Sequence, residues 1–184
     1  MNVKRFIGDK GFYKRIMTIA VPIMVQNGIT NFVSLLDNIM VGGIGTEQMS
    51  GVAIINQLVF IYYLMMFGGL SGVGIFTAQY FGKRDMEGIR HTFRYKLWMA
   101  FLLSALAAVL FLTFEDTLIN MYLHKSEDGG DLHATYLYGK TYVRIIFFAL
   151  PPVMLQMVYA SSLRECSETV LPMKAGITAV LVNL

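Results

Sequence analysis

Apolar residues along this chain gather into runs long enough to cross a membrane, and the polar residues inside those runs are few. From residue 16 to residue 41 the chain reads IMTIAVPIMVQNGITNFVSLLDNIMV, with Asp37 as its one charge. A spanning helix needs about 20 predominantly apolar residues. A second run, 51–80, is broken only by small and neutral polar residues. A third, 97–114, has a Leu/Ala/Val/Phe interior and places Trp98 near one end as an interfacial anchor. A fourth, 145–163, carries Pro151 and Pro152 inside it, which predicts a kink. A fifth, 172–184, opens on Pro172, a good first helical residue, and is too short to span before the sequence stops at Leu184. The expected fold class is therefore an all-α polytopic membrane protein, a helix bundle with four complete spans and part of a fifth. The first run is too long for a cleavable signal peptide and lacks a small-residue cleavage site.

Charges lie between the runs and alternate in kind. Lys4, Arg5, Lys10, Lys14 and Arg15 precede the first run, whereas the connection 42–50 has no Lys or Arg. The next connection holds Lys83, Arg84, Arg90, Arg94 and Lys96. The third, 115–132, is predominantly acidic, with Glu115, Asp116, Glu127, Asp128 and Asp131 against Lys125. Arg164 and Lys174 return in the fourth. By the positive-inside rule the N-terminus is expected in the cytoplasm. Composition agrees: 55% of residues are hydrophobic and 15% charged, against about 45–50% and about 25% in soluble domains. The net charge of +3 follows from the basic loops and needs no nucleic-acid partner. A single cysteine, Cys166, excludes an internal disulfide framework and a multi-cysteine metal site.

The candidate chemistry begins with Asp37. A carboxylate in hydrocarbon costs roughly 2.5–3.5 kcal/mol on insertion scales, so a chain that keeps one commonly uses it as a proton or ion site; the alternative is that it snorkels at the membrane edge. At about 100° per residue, Gln26, Thr30, Ser34 and Asp37 fall within roughly an 80° arc, with Asn27, Asn31 and Asn38 beside it. Such a stripe suits a water-accessible ion or substrate path, or else it hydrogen-bonds neighbouring helices. Pro22, near the same arc, removes one backbone hydrogen bond and supplies a bend point. On the second run Asn56, Phe60, Tyr63, Phe67 and Gly74 lie close to one face, which suits either a cavity for flat organic cations or packing. The Gly68/Gly72 spacing predicts a close helix–helix contact. The stretch ATYLYGKT at 134–141 satisfies a relaxed phosphate-loop pattern but lacks the glycine-rich backbone that cradles phosphate. No HExxH, GxSxG or Cys/His cluster appears, and no enzyme, catalytic residue, metal site or cofactor is expected.

Several motifs together resemble one family. Residues 20–27 read AVPIMVQN, 35–57 read LLDNIMVGGIGTEQMSGVAIINQ, 69–85 read GLSGVGIFTAQYFGKRD, and 159–173 read YASSLRECSETVLPM. The chain resembles the amino-terminal part of multidrug and toxic compound extrusion (MATE) transporters. These are cation-coupled antiporters with twelve helices in two six-helix lobes. The resemblance implies an incomplete first-lobe helix bundle, with the second lobe missing from this chain. It matches Asp37 to the acid that binds the coupling H+ or Na+, Asn183 to an asparagine of the same cation site, and Pro22 to the bending proline of the first helix. It makes Gln26, Thr30, Ser34, Asn56, Tyr63 and Phe67 candidates for the substrate path. The family often has Gly after the arginine and Asp before the threonine where this chain has Glu165 and Glu168, which bears on the local turn.

The resemblance implies a secondary active transporter of the plasma (inner) membrane, surrounded by membrane lipids, exporting amphipathic organic cations. A lipid-linked saccharide flippase of the same superfamily is the alternative. Against it, the first three runs hold no Arg or Lys cluster for a pyrophosphate, and Lys140 and Arg144 are the only candidates. A non-transporting truncated membrane protein is the third possibility.

Overall fold

The computed structural model describes residues 8–123 and 132–183, and these are helical almost throughout. The helices are α1 (Lys10–Gly42), α2 (Thr46–Gly82), α3 (Met86–Thr113), α4 (Glu115–Leu123), α5 (Leu132–Glu165) and α6 (Val170–Asn183). The first three, and α5 over His133–Glu165, are long and apolar enough to cross a membrane. The chain is an all-α polytopic membrane protein.

The helices outrun the apolar runs that announce them. Hydropathy marks only the part of a helix in hydrocarbon, about 30 Å or 20 residues, whereas backbone hydrogen bonding continues into the polar layers. Thus α3 begins at Met86 and takes Arg90, Arg94 and Lys96 out of the expected loop. The acidic connection also differs from expectation, because Glu115 opens the short helix α4. Glu115 and Asp116 in its first turn complement the positive end of the helix dipole. Lys125, Glu127, Asp128 and Asp131 lie outside the described residues. Helix α5 runs uninterrupted through Pro151 and Pro152.

Local chemistry sets the ends. Asp9 caps α1 by accepting from the Phe12 N–H at 2.8 Å, and Asp85 caps α3 by accepting from the Gly88 N–H at 2.9 Å. The α2 and α5 ends share one device. Arg84 and Ser167 adopt left-handed φ of 58° and 61°. Behind them the Asp85 N–H reaches Tyr80 O at 3.0 Å, and the Glu168 N–H reaches Leu163 O at 2.8 Å. Each is a Schellman turn closed without glycine. The departures at 165 and 168 therefore leave the turn intact, and the Glu168 carboxylate accepts from the Leu171 N–H at 3.3 Å in the first turn of α6.

The core is the α2–α3–α5 bundle. Tyr62, Met66 and Leu70 of α2 pack with Ala100 and Ala107 of α3 and with Leu150, Met154 and Val158 of α5. A second cluster joins Ile54, Ile55 and Leu58 to Ile119 of α4 and Val143 of α5. Inside the first, the Tyr62 hydroxyl and Ser104 hydroxyl hydrogen-bond at 2.8 Å. The α2 and α5 backbones approach closely at Gly51, where a Cβ would stand 2.9 Å from Gly139 N and 3.0 Å from Thr135 O. Gly139, the glycine of the ATYLYGKT stretch, thus serves helix packing within α5. The expected Gly68/Gly72 contact is not made among the described residues, where a Cβ at either would meet nothing within 4 Å. Gly69 and Gly74 face neighbours instead, Met99 and Glu165 respectively.

Helix α1 stands apart from this core. It packs mainly on α6 and more lightly on α2, and Gln26 is its one buried residue among those described.

Candidate functional site

Pro22 lies half-buried inside α1, which continues through it, and frees the Thr18 carbonyl from its helical partner. One turn further on, Gln26 is 8% exposed and sits at the junction of α1, α5 and α6. Its side-chain carbonyl accepts from Arg164 Nη2 at 2.8 Å. Gly176 of α6 lies beside it, where a Cβ would make ordinary contact with Gln26 Cγ at 3.5 Å. The rest of the polar arc is open: Thr30, Ser34 and Asp37 are exposed, as are Asn27, Asn31 and Asn38. The Thr30 hydroxyl turns back to its own helix, donating to Gln26 O at 3.0 Å. Asp37 lies close enough to Tyr142 of α5 to act on it electrostatically, and Tyr142 is similarly coupled to Tyr63 of α2. Asn56, Tyr63 and Phe67 are exposed on α2, beside the face packed on α3 and α5. Asn183 ends α6, and its side chain lies outside the described residues.

The last two turns of α5 form a polar centre that hydropathy does not reveal. Lys96 of α3 has a fully buried side chain and pairs with Glu165, whose side chain is 16% exposed. Ser161 accepts from Lys96 Nζ at 3.2 Å and donates to Glu165 Oε1 at 2.7 Å. Gly74 of α2 lies against the carboxylate, where a Cβ would collide with it. A cleft of about 340 Å³ borders this centre, lined by Phe67, Leu70, Ser71, Gln156, Ser161, Arg164 and Glu165 among others. A second cleft of about 460 Å³ lies toward α6, with Gln26, Gln156, Tyr159, Leu163 and Gly176 in its lining. Gln156 and Ala160 border both. Just beyond, burial pushes the Cys166 thiol above its ordinary value, and the Glu165 charge adds to that.

At the other end of the bundle Lys140 is taken up internally. Its ammonium lies 2.9 Å from Asp116 Oδ1 and 3.0 Å from Glu115 Oε1, while Arg144 stands 3.9 Å from Glu115. Tyr136 also donates to Asp116. The Tyr136 hydroxyl, with Lys140, holds the Asp116 carboxyl below its ordinary value of 3.8. A lowered folded value stabilises the native state above the unfolded value and is lost as pH falls through the folded one. The stability difference between parent and Asp116→Asn is thus expected at pH 7, shrinking once pH drops below 3.8 and gone below the lowered value. Thermal unfolding in detergent across that range measures it. Since Asp116 is exposed, the difference is small.

Among the described residues no three His, Cys, Asp or Glu side chains gather into a possible metal site. Sequence reasoning singled out Asp37, Pro22 and the α2 aromatics but missed Tyr142 and the Lys96–Glu165 pair. One signal for the pair was present: Lys96 is the cation closest to the apolar run of α3, and Glu165 stands where the family often has glycine.

The family model described as MatE matches residues 22–184. The chain is 27% identical to multidrug resistance protein PmpM of Pseudomonas aeruginosa over 172 residues, covering 93% of this chain and 34% of that protein. It is 26% identical to the "Probable multidrug resistance protein NorM" of Chromobacterium violaceum over 126 residues, covering 68% of this chain and 27% of that protein. With the "Probable multidrug resistance protein YoeA" of Bacillus subtilis it shares 23% identity over 165 residues, covering 89% of this chain and 34% of that protein. The chain spans about a third of the length of these curated relatives. No solved structure matches it.

Proposed function

Because the chain belongs to the MatE family, we propose that the complete protein is a secondary active transporter, not an enzyme. It exports amphipathic organic cations in exchange for a coupling proton or sodium ion. The observation that carries this reading is Asp37, a carboxylate on a membrane-crossing helix and on the same arc as Thr30 and Ser34. Asn183 supplies a side-chain oxygen to the cation site, and Pro22 lets α1 bend as that site fills and empties. The exposed stripe of Asn56, Tyr63 and Phe67 offers aromatic faces to a flat cation. The protein sits in the plasma (inner) membrane with its N-terminus in the cytoplasm, the orientation supported by the Lys and Arg distribution. A flippase for lipid-linked saccharides needs free cations for a pyrophosphate. Lys140 and Arg144, the candidates, face Glu115 and Asp116 instead.

The test is efflux of a cationic dye from cells or proteoliposomes containing the complete protein under an imposed proton or sodium gradient. Efflux should follow one of the two gradients and stop when the matching ionophore collapses it. Dye movement indifferent to both gradients would overturn the antiport reading.

A further inference from the structure

The basic connection ahead of the third apolar run is not uniform once folded. Lys96 turns inward to Glu165. Arg90 and Arg94 are exposed, and among the described residues no hydrogen bond or ion pair neutralises either of them. They stand four apart on α3, where like charges repel unless an anion lies between them. The same stripe continues into the membrane with Trp98, 69% exposed, and Phe101, 56% exposed. Positions 90, 94, 98 and 101 fall within roughly 80° of the helix circumference. The two rings meet edge-on with centroids 6.4 Å apart. Arg94, Leu97, Trp98 and Phe101, with Met154 of α5, line a groove of about 490 Å³.

This groove has a cationic mouth, an amphipathic indole at headgroup depth, and apolar walls below. We propose that it binds an anionic phospholipid, with the phosphate between Arg90 and Arg94 and an acyl chain along Trp98, Phe101 and Met154. Guanidinium groups suit the task because their planar donors match phosphate oxygens in pairs. An inorganic phosphate would satisfy the arginines and leave the apolar groove uncovered. A zwitterionic lipid would cover the groove but bring its own cation against the arginines. An anionic lipid meets both demands. The inference rests on the chain's place in a membrane and is independent of any transported substrate.

Trp98 is the one tryptophan of the chain and therefore a reporter inside the site. The full-length protein, with any tryptophan outside these residues changed to Phe, is reconstituted into phosphatidylcholine vesicles containing brominated phosphatidylglycerol or brominated phosphatidylcholine. Trp98 quenching should show a preference for the anionic lipid of roughly fivefold or more. The preference should weaken as salt rises, and inorganic phosphate should not compete it away. Arg90→Gln/Arg94→Gln should bring it close to one, while Arg90→Lys/Arg94→Lys, which keeps both charges, should retain most of it. Val109→Trp in a Trp98→Phe background reports the far end of the same stripe and should show no preference. Equal quenching of parent Trp98 by both lipids, or a preference that survives loss of both charges, would overturn the site.

Discussion

Lys96→Met is expected to destabilise the protein by about 3–5 kcal/mol, the usual cost of removing one partner of a buried ion pair. The side chain is fully buried, and its loss leaves the Glu165 carboxylate with Ser161 alone. A carboxylate in such surroundings is costly because water reaches it only in part and its counter-charge is gone. The measurement is the amount of inserted, detergent-stable protein and its thermal midpoint. The double variant Lys96→Met/Glu165→Leu separates the charge from the space, because replacing both ions by apolar groups is often neutral or stabilising. It should recover most of the lost stability. If Lys96→Met proves as stable as the parent, or the double variant no better than the single one, the pair is not holding α3 to α5. Transport by a stable double variant would further show that the pair serves the fold and not the passage of substrate.

That pair also shows where the sequence was legible and where it was not. Long apolar runs announced α1, α2, α3 and α5, since a membrane span must be both helical and apolar. Their ends were harder to read, because the helix continues through charged turns once past the hydrocarbon. Lys96 illustrates this, appearing beside four other cations as part of a basic loop although it is interior. Which face of a helix is buried was also hidden. In lipid both faces are apolar, so hydrophobic periodicity does not separate core from surface. The buried face of α2 carries Ile54, Ile55, Leu58, Met66 and Leu70 beside Gly51, Tyr62, Gly74 and Thr77, and its exposed face carries Phe60, Leu64 and Phe67. Large apolar residues stand on both faces, and the small residues and the satisfied Tyr62 hydroxyl are what set the contact apart. The Gly68/Gly72 spacing misled for a related reason, because spacing alone does not say which side of α2 meets a neighbour.

Helix α1 carries the functional argument because it is the least committed element. Its buried anchor is Gln26, held by Arg164, and the residues beyond it toward Asp37 are largely free of the core. Pro22 falls one turn before that anchor. A bend at Pro22, in the interior of α1, would turn the segment before it relative to the anchored segment that carries Gln26 and Asp37. Gln26 thus divides the polar arc: one end is closed within the bundle, and the other, with Asp37, faces outward.

Asp37→Asn in the complete protein should reduce gradient-driven efflux of a cationic dye at least tenfold while the amount of inserted protein stays near that of the parent. The expectation follows from linkage. A cation can drive α1 from one arrangement to another only by binding one of them more tightly, and coupling of this kind typically amounts to about 1–3 kcal/mol. Asp37 is the one ionisable group inside the apolar run of α1. An unpaired carboxylate disfavours any arrangement that carries it into hydrocarbon, and a bound proton or sodium ion removes that penalty. Asparagine keeps the size and the side-chain carbonyl but removes the charge. It therefore leaves the packing of α1 largely unchanged and abolishes the difference that the cation exploits. Expression is expected to persist, because Asp37 is exposed and no helix contact among the described residues depends on its ion pairing. Dye binding to the Asn variant, measured without a gradient, should also persist, which distinguishes lost coupling from a lost substrate site. Efflux by the Asn variant at the parent rate would remove Asp37 from the coupling site and leave it as a residue of the membrane edge.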